Sequence, residues 1–320
     1  MPKLGGRKVR ERKIKEPIVG LSSNKNEQQS IIQGLELLPI KQIITQGDRV
    51  VITPNWVKAN DPSTGTVVGP QTLQELIRYV KRFNPKEIII ATGSGGDQTT
   101  SVFKKVGYDK AIQEEAVKFV DLNFGPYVDI DLGHSIINRT KINSLIENMD
   151  VLISFTQLKQ HEEATMSAAI KNIALGWPPA EIHGFPKKQT GIHEDLHGFI
   201  VAMAKKIPID LSIVSVDKGM IGTGPSDGKA VDTEGLTIVS TDPVAADAIG
   251  GRLLGFLPQA IQYIYALYNA KVGEADPNNM IIKGMTLEQA EKIFSKAAYG
   301  QEIVLDKDNK IKGMHGNMPK

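Results

Sequence analysis

Four side chains that can move protons or bind anions lie close together in the middle of the chain. Lys159 and His161 come directly after an apolar, β-branched segment at 151–156, and Lys171 and Asn172 follow a run of small residues. Imidazole titrates near neutral pH and suits proton transfer, whereas ammonium groups bind anions. We therefore expect His161 and Lys171 to be catalytic. Lys159 and Asn172 would bind the substrate or a cofactor.

The same stretch also has an ordinary structural interpretation, which the residues alone leave open. A buried strand, a solvated charged turn and an alanine-rich helix that ends at Gly176 would give this pattern. Under either interpretation, Glu162 and Glu163 are expected to be solvated and to take no part in the chemistry.

A second group of candidates is the sequence His193-Glu194-Asp195-Leu196-His197, which matches the H-E-x-x-H pattern. On a helix, two histidines four residues apart share a face and can bind zinc, with the glutamate as base. The charge of Asp195 and the lack of a third ligand downstream count against a zinc peptidase. We expect His193 to be functional, as a metal ligand or a second base, and His197 to lie on a solvated face.

Polar and glycine residues follow several predicted strands, which indicates that the strand ends face one cleft. Asn55 comes shortly after the predicted strand 49–53, and Ser94 and Gly95 come after the predicted strand 87–92. Glycine-rich turns can bind anions through backbone N–H groups. We expect these three residues to position a phosphate, a carboxylate or a cofactor, although a plain tight turn explains the glycines equally well.

Two aspartates at predicted strand ends suggest metal binding. Asp217 precedes a glycine-rich loop, and together with His161 and His193 it gives a candidate set for a divalent metal. Asp242 could also bind a metal. Pro243 directly after it fits a helix N-cap equally well.

The order of the predicted elements is typical of an α/β protein. Apolar segments at 49–53 and 87–92 are separated by an amphipathic helix that begins at Pro70. Such a β-α-β succession predicts parallel strands joined by a right-handed crossover. We expect a parallel-rich mixed sheet flanked by helices, arranged as one body or as two lobes with a cleft between them.

Further elements are predicted in the second half of the chain. They are a long Pro- and Gly-rich loop at 177–190, a helix at 191–206, a buried strand at 209–216 and an edge strand at 302–306. Loops as long as the first of these often serve as lids or binding loops.

The predicted domain organisation has three parts. Residues 1–44 form a basic arm and a helix, 45–285 form an α/β domain with lobes at 45–150 and 151–285, and 286–320 form a helix, a short strand and a tail. The basic arm is expected to be a mobile, solvated segment. Nucleic-acid binding through this arm is the less favoured alternative.

The composition limits the class of protein. The chain has 320 residues, of which 41% are hydrophobic and 23% charged, and its net charge of +2 gives no strong field for nucleic acid or a membrane. No apolar run is long enough to predict a membrane-spanning helix, and no apolar segment typical of a secretory signal follows the first basic residues. The absence of cysteine excludes disulfides and cysteine-ligated iron–sulfur clusters, and it favours a reducing, cytoplasmic compartment.

A set of motifs between residues 45 and 275 resembles the family called domain of unknown function 362. The motifs are VVITPNWV, TGTVVGP, GSGG, DVLISFTQLKQH, AIKNIALG, GTGPSDGKAV and STDPVAADA. The resemblance implies an α/β protein, and because some members carry ferredoxin-like iron–sulfur segments, this cysteine-free chain is similar to the cluster-free members. The family commonly has a lysine before Pro-Asn where this chain has Thr53, and Lys58 is a substitute anion-binding residue.

A more remote resemblance is to the nickel-pincer lactate racemases. In that family a histidine precedes, by ten positions, a lysine that holds a pyridinium-derived cofactor, and His161 and Lys171 have the same spacing. The resemblance implies a two-lobed α/β fold with a cleft and a metal-ligand histidine downstream. His183 and His193 lie downstream, but neither has the matching spacing, so the nickel cofactor is not part of the prediction.

The residues therefore favour an enzyme that acts on a small anionic substrate by His and Lys acid–base chemistry, with assistance from a divalent metal or another cofactor. A racemase, an isomerase or an oxidoreductase-associated enzyme would fit. The alternative is a non-catalytic protein that binds a metal or a nucleotide in the same cleft. The sequence leaves the substrate, the reaction and the oligomeric state open.

Overall fold

A ten-stranded mixed sheet organises the part of the chain that the computed structural model describes, which is residues 3–4, 7–8 and 10–312. A second sheet has four strands in the order β2-β1-β7-β8. The strands are β1 (Lys3–Leu4), β2 (Arg7–Lys8), β3 (Ile18–Ser22), β4 (Arg49–Pro54), β5 (Glu87–Thr92), β6 (Lys118–Asp121), β7 (Tyr127–Asp131), β8 (Arg139–Asn143), β9 (Val151–His161), β10 (Thr165–Ser167), β11 (Leu211–Ile221), β12 (Lys229–Asp232), β13 (Thr237–Ser240) and β14 (Ile281–Gly284).

Helices connect the strands and pack on the large sheet. None of those in the described residues is long and apolar enough to cross a membrane. The helices are α1 (Glu27–Glu36), α2 (Ile40–Ile43), α3 (Pro70–Lys81), α4 (Thr99–Val106), α5 (Tyr108–Glu114), α6 (Ala169–Gly176), α7 (Ala180–His183), α8 (Leu196–Ala204), α9 (Pro243–Leu253), α10 (Gln262–Asn269) and α11 (Leu287–Tyr299).

The large sheet has the order β14-β3-β13-β11-β9-β4-β5-β6, with β10 beside β9 and β12 beside β11. The run from β11 to β6 is parallel, whereas β13 is antiparallel to both of its neighbours. Along β9, Val151 and Ile153 belong to one hydrophobic cluster and Leu152 belongs to the other, so core covers both faces. Burial on both faces explains why the parallel strands are apolar throughout. The predicted parallel-rich mixed sheet is confirmed.

The strands β9 and β11 are longer than their apolar segments. β9 continues to His161 and pairs with β10 in a hairpin, where Ser167 faces Lys159. Lys159 and His161 therefore lie in a strand, and the predicted solvated turn is wrong at these positions. β11 likewise runs through Asp217, which is not at a strand end as predicted, because its pairing with β12 continues the backbone ladder past the apolar residues.

Two other predicted elements differ in the structure. The helix expected at 191–206 begins at Leu196, because the carboxylate of Asp195 accepts a hydrogen bond from the backbone N–H of Gly198 and caps the helix there. His193 thus lies before the helix, and the H-E-x-x-H histidines do not share a helical face. The edge strand expected at 302–306 is irregular, because Ile303 pairs with the Ser295 side chain of α11 instead of with a strand.

The described part of the N-terminal arm is held by ion pairs. Arg10 binds Asp210 with two hydrogen bonds, of 2.8 and 2.5 Å, and the side chain of Lys13 lies 3.1 Å from Asp48. The prediction of a mobile, solvated arm is therefore wrong from Arg10 onwards, because these cations pair with carboxylates of the domain. Residues 1–2, 5–6 and 9 of the arm lie outside the described residues.

The proposed domain boundaries stay predictions. The large sheet takes strands from both predicted lobes, since β4 and β5 belong to residues 45–150 and β9 and β11 to residues 151–285. The cleft described below lies at one edge of this shared sheet.

We expect the buried pair of Arg252 and Glu291 to be needed for the packing of α9 against α11. The guanidinium and the carboxylate are 2.7 Å apart and both are almost completely buried. Changing Glu291→Ala leaves a buried charge without its partner, so the free energy of unfolding should fall by about 3–5 kcal/mol in urea denaturation.

The matched control is Glu288→Ala on the same helix, which removes an exposed carboxylate that pairs with Lys292. Surface pairs of this kind contribute little to stability. Equal losses in the two variants would contradict the assignment of the Arg252–Glu291 pair as a buried anchor.

Candidate anion-binding cleft

The carboxyl ends of the parallel strands β4, β5 and β9 meet at one edge of the large sheet, where strand-end loops enclose a cavity of about 360 Å³. The basic side chains around it come from several separate segments of the chain. In the described residues, no aspartate or glutamate lines this cavity. The basic residues that line it, which together define the lysine cleft, are Lys58, Lys159, Lys171, Lys187, Lys188, His161 and His193.

Lys159 projects from the end of β9 and is only 1% exposed. Its Nζ donates a hydrogen bond of 2.7 Å to the backbone carbonyl of Thr66. Burial, and then the nearby charge of Lys171, lowers the pKa of Lys159 to about 7. The environment therefore offers this ammonium a dipole but no negative charge.

Lys187 reaches the cleft from the loop between α7 and α8, and it is 3% exposed. Its Nζ donates hydrogen bonds to the backbone carbonyls of Gly93, at 2.9 Å, and Leu175, at 2.8 Å. Burial lowers its pKa to about 7, while the charge of Asp121 opposes the shift. The sequence predicts for this residue only a place in the long Pro- and Gly-rich loop at 177–190.

Lys171 lies in the first turn of α6 and is 9% exposed. Its Nζ makes no hydrogen bond to any other residue that the structure describes. Burial lowers its pKa to about 8, with Glu163 raising it and Lys188 lowering it further. The start of α6 is fixed by the buried carboxylate of Asp247, which accepts hydrogen bonds from the N–H groups of Ala169, at 2.8 Å, and Ile170.

His161 faces the cleft with one nitrogen and the β9–β10 turn with the other. Its Nδ1 accepts hydrogen bonds from the N–H groups of Glu163, at 3.1 Å, and Ala164, at 3.2 Å. This arrangement places the ring proton on Nε2. Burial, and then the charges of Lys171 and Lys159, lowers the pKa of His161 to about 2. In this environment the imidazole is neutral, and it can donate a hydrogen bond through Nε2–H.

Glu163 connects two segments at the edge of the cleft. Its carboxylate lies 3.1 Å from the Nζ of Lys188 and contacts Nδ1 of His193. Glu163 therefore connects the segment 188–193 to the β9–β10 hairpin. Glu163 is exposed, as is Glu162, and folding brings the side chains of Lys188 and His193 to its carboxylate. The expectation that both glutamates take no part in the chemistry stays a prediction.

The two predicted asparagines use their amides to hold the walls of the cleft. Asn55 donates a hydrogen bond of 3.0 Å to the carbonyl of Thr66. Asn172 donates to the carbonyl of Thr53, at 2.9 Å, and to the hydroxyl of Ser154. Both residues line the cavity, and their contacts join β4 to the loop after it and to α6.

The glycine-rich turn at 93–96 forms part of the wall of the cleft. The Ser94 hydroxyl donates to the carbonyl of Val57, at 2.7 Å, and Ser94 does not line the cavity, contrary to prediction. The N–H groups of Gly96 and Asp97 also bond to the carbonyl of Val57, so they are not free for an anion. Gly95 lines the cavity as predicted.

The predicted metal ligands do not converge. His161 and His193 line the cleft, but Asp217 lies elsewhere, beside Lys218 and the N–H of Gly235. Asp242 lies at the opposite edge of the sheet, because β13 runs antiparallel to β11, and there it caps α9 through the N–H of Val244. Within the described residues, no group of three or more His, Asp or Glu side chains is arranged to hold a metal ion.

Comparison with known proteins gives three similarities. The model of the family described as "Domain of unknown function (DUF362)" matches residues 50–252. A thylakoid-associated protein of Synechocystis sp. is 26% identical over 220 residues, which are 68% of this chain and 66% of that protein. The lactate racemase apoprotein of Thermoanaerobacterium thermosaccharolyticum is 20% identical with a TM-score of 0.41, covering 72% of this chain and 55% of the racemase. The chain thus spans less than two thirds of either protein.

We expect the ligand-free protein to gain stability through Lys159 as the pH rises from about 7 towards 10. The pKa of Lys159 is about 7 in the folded protein and near 10.5 in the unfolded chain, so the unfolded state binds more protons in this range. The free energy of unfolding then rises with pH by up to about 1.4 kcal/mol per pH unit for this group. Below pH 7 both states are protonated and the effect disappears.

Urea denaturation across this pH range should show a shallower slope for Lys159→Met than for the wild type. The control is Lys110→Met, which removes an exposed lysine. Identical slopes in the wild type and Lys159→Met would show that the ammonium is not desolvated.

Proposed function

This chain belongs to the domain of unknown function 362 family, and we propose that its lysine cleft is the active site of an enzyme acting on a small anionic substrate. The substrate would carry a carboxylate or a phosphate. Lys159 and Lys187 would bind that group, Lys171 would move a proton, and His161 would donate a hydrogen bond through Nε2–H.

The observation that carries this proposal is the burial of three lysines without a carboxylate partner. Lys159, Lys171 and Lys187 are at least 91% buried, and the described residues offer them no ion pair. Removing an ammonium from water costs several kcal/mol unless a charge compensates it. A bound anion would supply that compensation to all three side chains at once.

The division of roles follows from the hydrogen bonds. Lys159 and Lys187 donate to backbone carbonyls, which keeps their nitrogens in fixed positions. The amine of Lys171 has no such tie, and its pKa of about 8 suits proton transfer near neutral pH. The neutral His161 can polarise a substrate oxygen without carrying charge. His193, held by Glu163, would keep the loop at the mouth of the cleft in place.

The residues of the cleft do not fit a divalent cation. The lining side chains are cationic or neutral, and Nδ1 of His161 is already used by two backbone N–H groups. A divalent metal prefers carboxylate or several free imidazole ligands. The predicted metal assistance therefore finds no support in this arrangement.

A non-catalytic anion-binding protein would use the same cleft. The observation that favours an enzyme is the free amine of Lys171, which no backbone carbonyl of the described residues holds in place, unlike the amines of Lys159 and Lys187. The relative's printed name associates that protein with thylakoids. The cytoplasmic location predicted for this chain stays a prediction.

We expect malonate or inorganic phosphate to raise the unfolding temperature of the wild-type protein. A ligand at about 100 times its Kd stabilises a folded protein by about 2.7 kcal/mol. In Lys159→Met the affinity should fall roughly tenfold or more, because a hydrogen bond to a charged group contributes about 1.5–3 kcal/mol. Thermal unfolding and calorimetric titration measure both effects.

The matched control is Lys110→Met, which should keep the full response to either anion. A general salt effect would stabilise every variant equally, and that result would contradict a specific site. Catalysis is tested by solvent deuterium uptake at the carbon next to the carboxylate in a panel of small acids. Anion binding without any such uptake would favour the non-catalytic alternative.

A further inference from the structure

Lys171 differs from the other lysines of the cleft in having a free amine. Each of the other four lies within 4.0 Å of an oxygen of the protein that holds its nitrogen in place. Lys171 is buried, with only 9% of its surface exposed. Even so, it has no hydrogen-bond partner or ion pair in the part of the chain that the structure describes. Lys159 and Lys187 donate to the backbone carbonyls of Thr66 and Gly93, respectively. Lys58 and Lys188 pair with the carboxylates of Asp227 and Glu163, respectively.

A lysine in this position can react as a nucleophile. Lys171 loses no hydrogen bond when it gives up its proton, and burial already disfavours the charged form. With a pKa of about 8, about a tenth of the Lys171 side chains are neutral at pH 7. Lysines desolvated beside another cation are known to form Schiff bases with carbonyl compounds. Here Lys188 supplies that neighbouring cation.

We propose that the lysine cleft takes a small aldehyde or ketone bearing a carboxylate or phosphate, and that Lys171 joins its carbonyl carbon through an imine. This inference rests on the proposed function, because the anionic group is held by Lys159 and Lys187. None of the described side chains that line the cleft is a carboxylate, which would repel such a compound. The cavity of about 360 Å³ is at the small end of ligand sites.

The chemical step balances without an oxidant or a reductant. The lone pair of the Lys171 nitrogen forms a bond to the carbonyl carbon, and the π electron pair moves to oxygen. One proton passes from nitrogen to that oxygen, which gives a carbinolamine. A second proton, from the ammonium of Lys159 or from water, then allows the hydroxyl to leave as water, and the product is an iminium. The Nε2–H of His161 would stabilise the negative charge on the oxygen.

The test is reductive trapping. The wild-type protein is incubated at neutral pH with glyoxylate, or in a parallel arm with glyceraldehyde 3-phosphate, and treated with sodium cyanoborohydride. Intact-mass measurement should show one adduct per chain, and peptide mapping should place it on Lys171. The arm that labels faster identifies the anionic group that the cleft prefers. Malonate or phosphate, which carries no carbonyl, should suppress labelling in both arms.

Two variants separate this proposal from ordinary lysine reactivity. Lys171→Arg keeps the charge but cannot form the imine, so it should lose the adduct, and Lys110→Arg should retain it. Peptide mapping of the wild type does not depend on whether the variant folds. An adduct on a different lysine, or labelling spread over exposed lysines and insensitive to malonate, would overturn the proposal.

The same samples distinguish failure of the imine from failure of the anion site. If malonate and phosphate stabilise the wild type but no adduct forms on Lys171, the imine is wrong and the anion-binding cleft stands. If neither anion binds, the proposed function fails, and the imine fails with it.

Discussion

Three buried lysine side chains have no carboxylate partner among the residues that the structure describes, and this is the constraint on which the cleft depends. The backbone offsets part of this cost by directing the carbonyls of Thr66 and Gly93 at the ammonium groups of Lys159 and Lys187. Position 93 requires a glycine, because a Cβ there would lie only 2.9 Å from the carbonyl oxygen of Gly176. The remaining electrostatic cost appears as lowered lysine pKa values, which is the property that the proposed chemistry uses.

The position of Lys171 depends on residues that do not line the cleft. Asp247 in α9 is completely buried and accepts hydrogen bonds from the first N–H groups of α6 and from the hydroxyl of Tyr263. Burial raises the pKa of this carboxyl to about 7. The hydroxyl of Ser154 donates to the carbonyl of Ala169 from the neighbouring strand. The core of the protein thus determines where the reactive amine lies.

Several parts of this arrangement could be predicted from the sequence. The apolar strands and their parallel order follow from local patterns, because hydrophobic runs and helix signals act over a few residues. Lys159, His161, Lys171 and Asn172 were expected to lie together, and all four line the cleft. The order of the elements also predicts the fold class, and the motifs along the chain indicate the family whose model matches residues 50–252. The role of Lys187 could not be predicted, because its partners Gly93 and Leu175 come from other segments.

The sequence by itself determined the apolar strands of the parallel sheet, the residue types and the absence of cysteine chemistry, since these depend on local propensity and composition. Only the tertiary structure decided the charge states of the buried side chains and the residues with which the charged side chains pair. It showed that the His161 imidazole is neutral, because burial and two lysines act on it together. It brought Glu163 to Lys188 and His193, and it kept Asp217 away from the cleft. Electrostatic environments arise from contacts between distant segments, and no local pattern specifies those contacts.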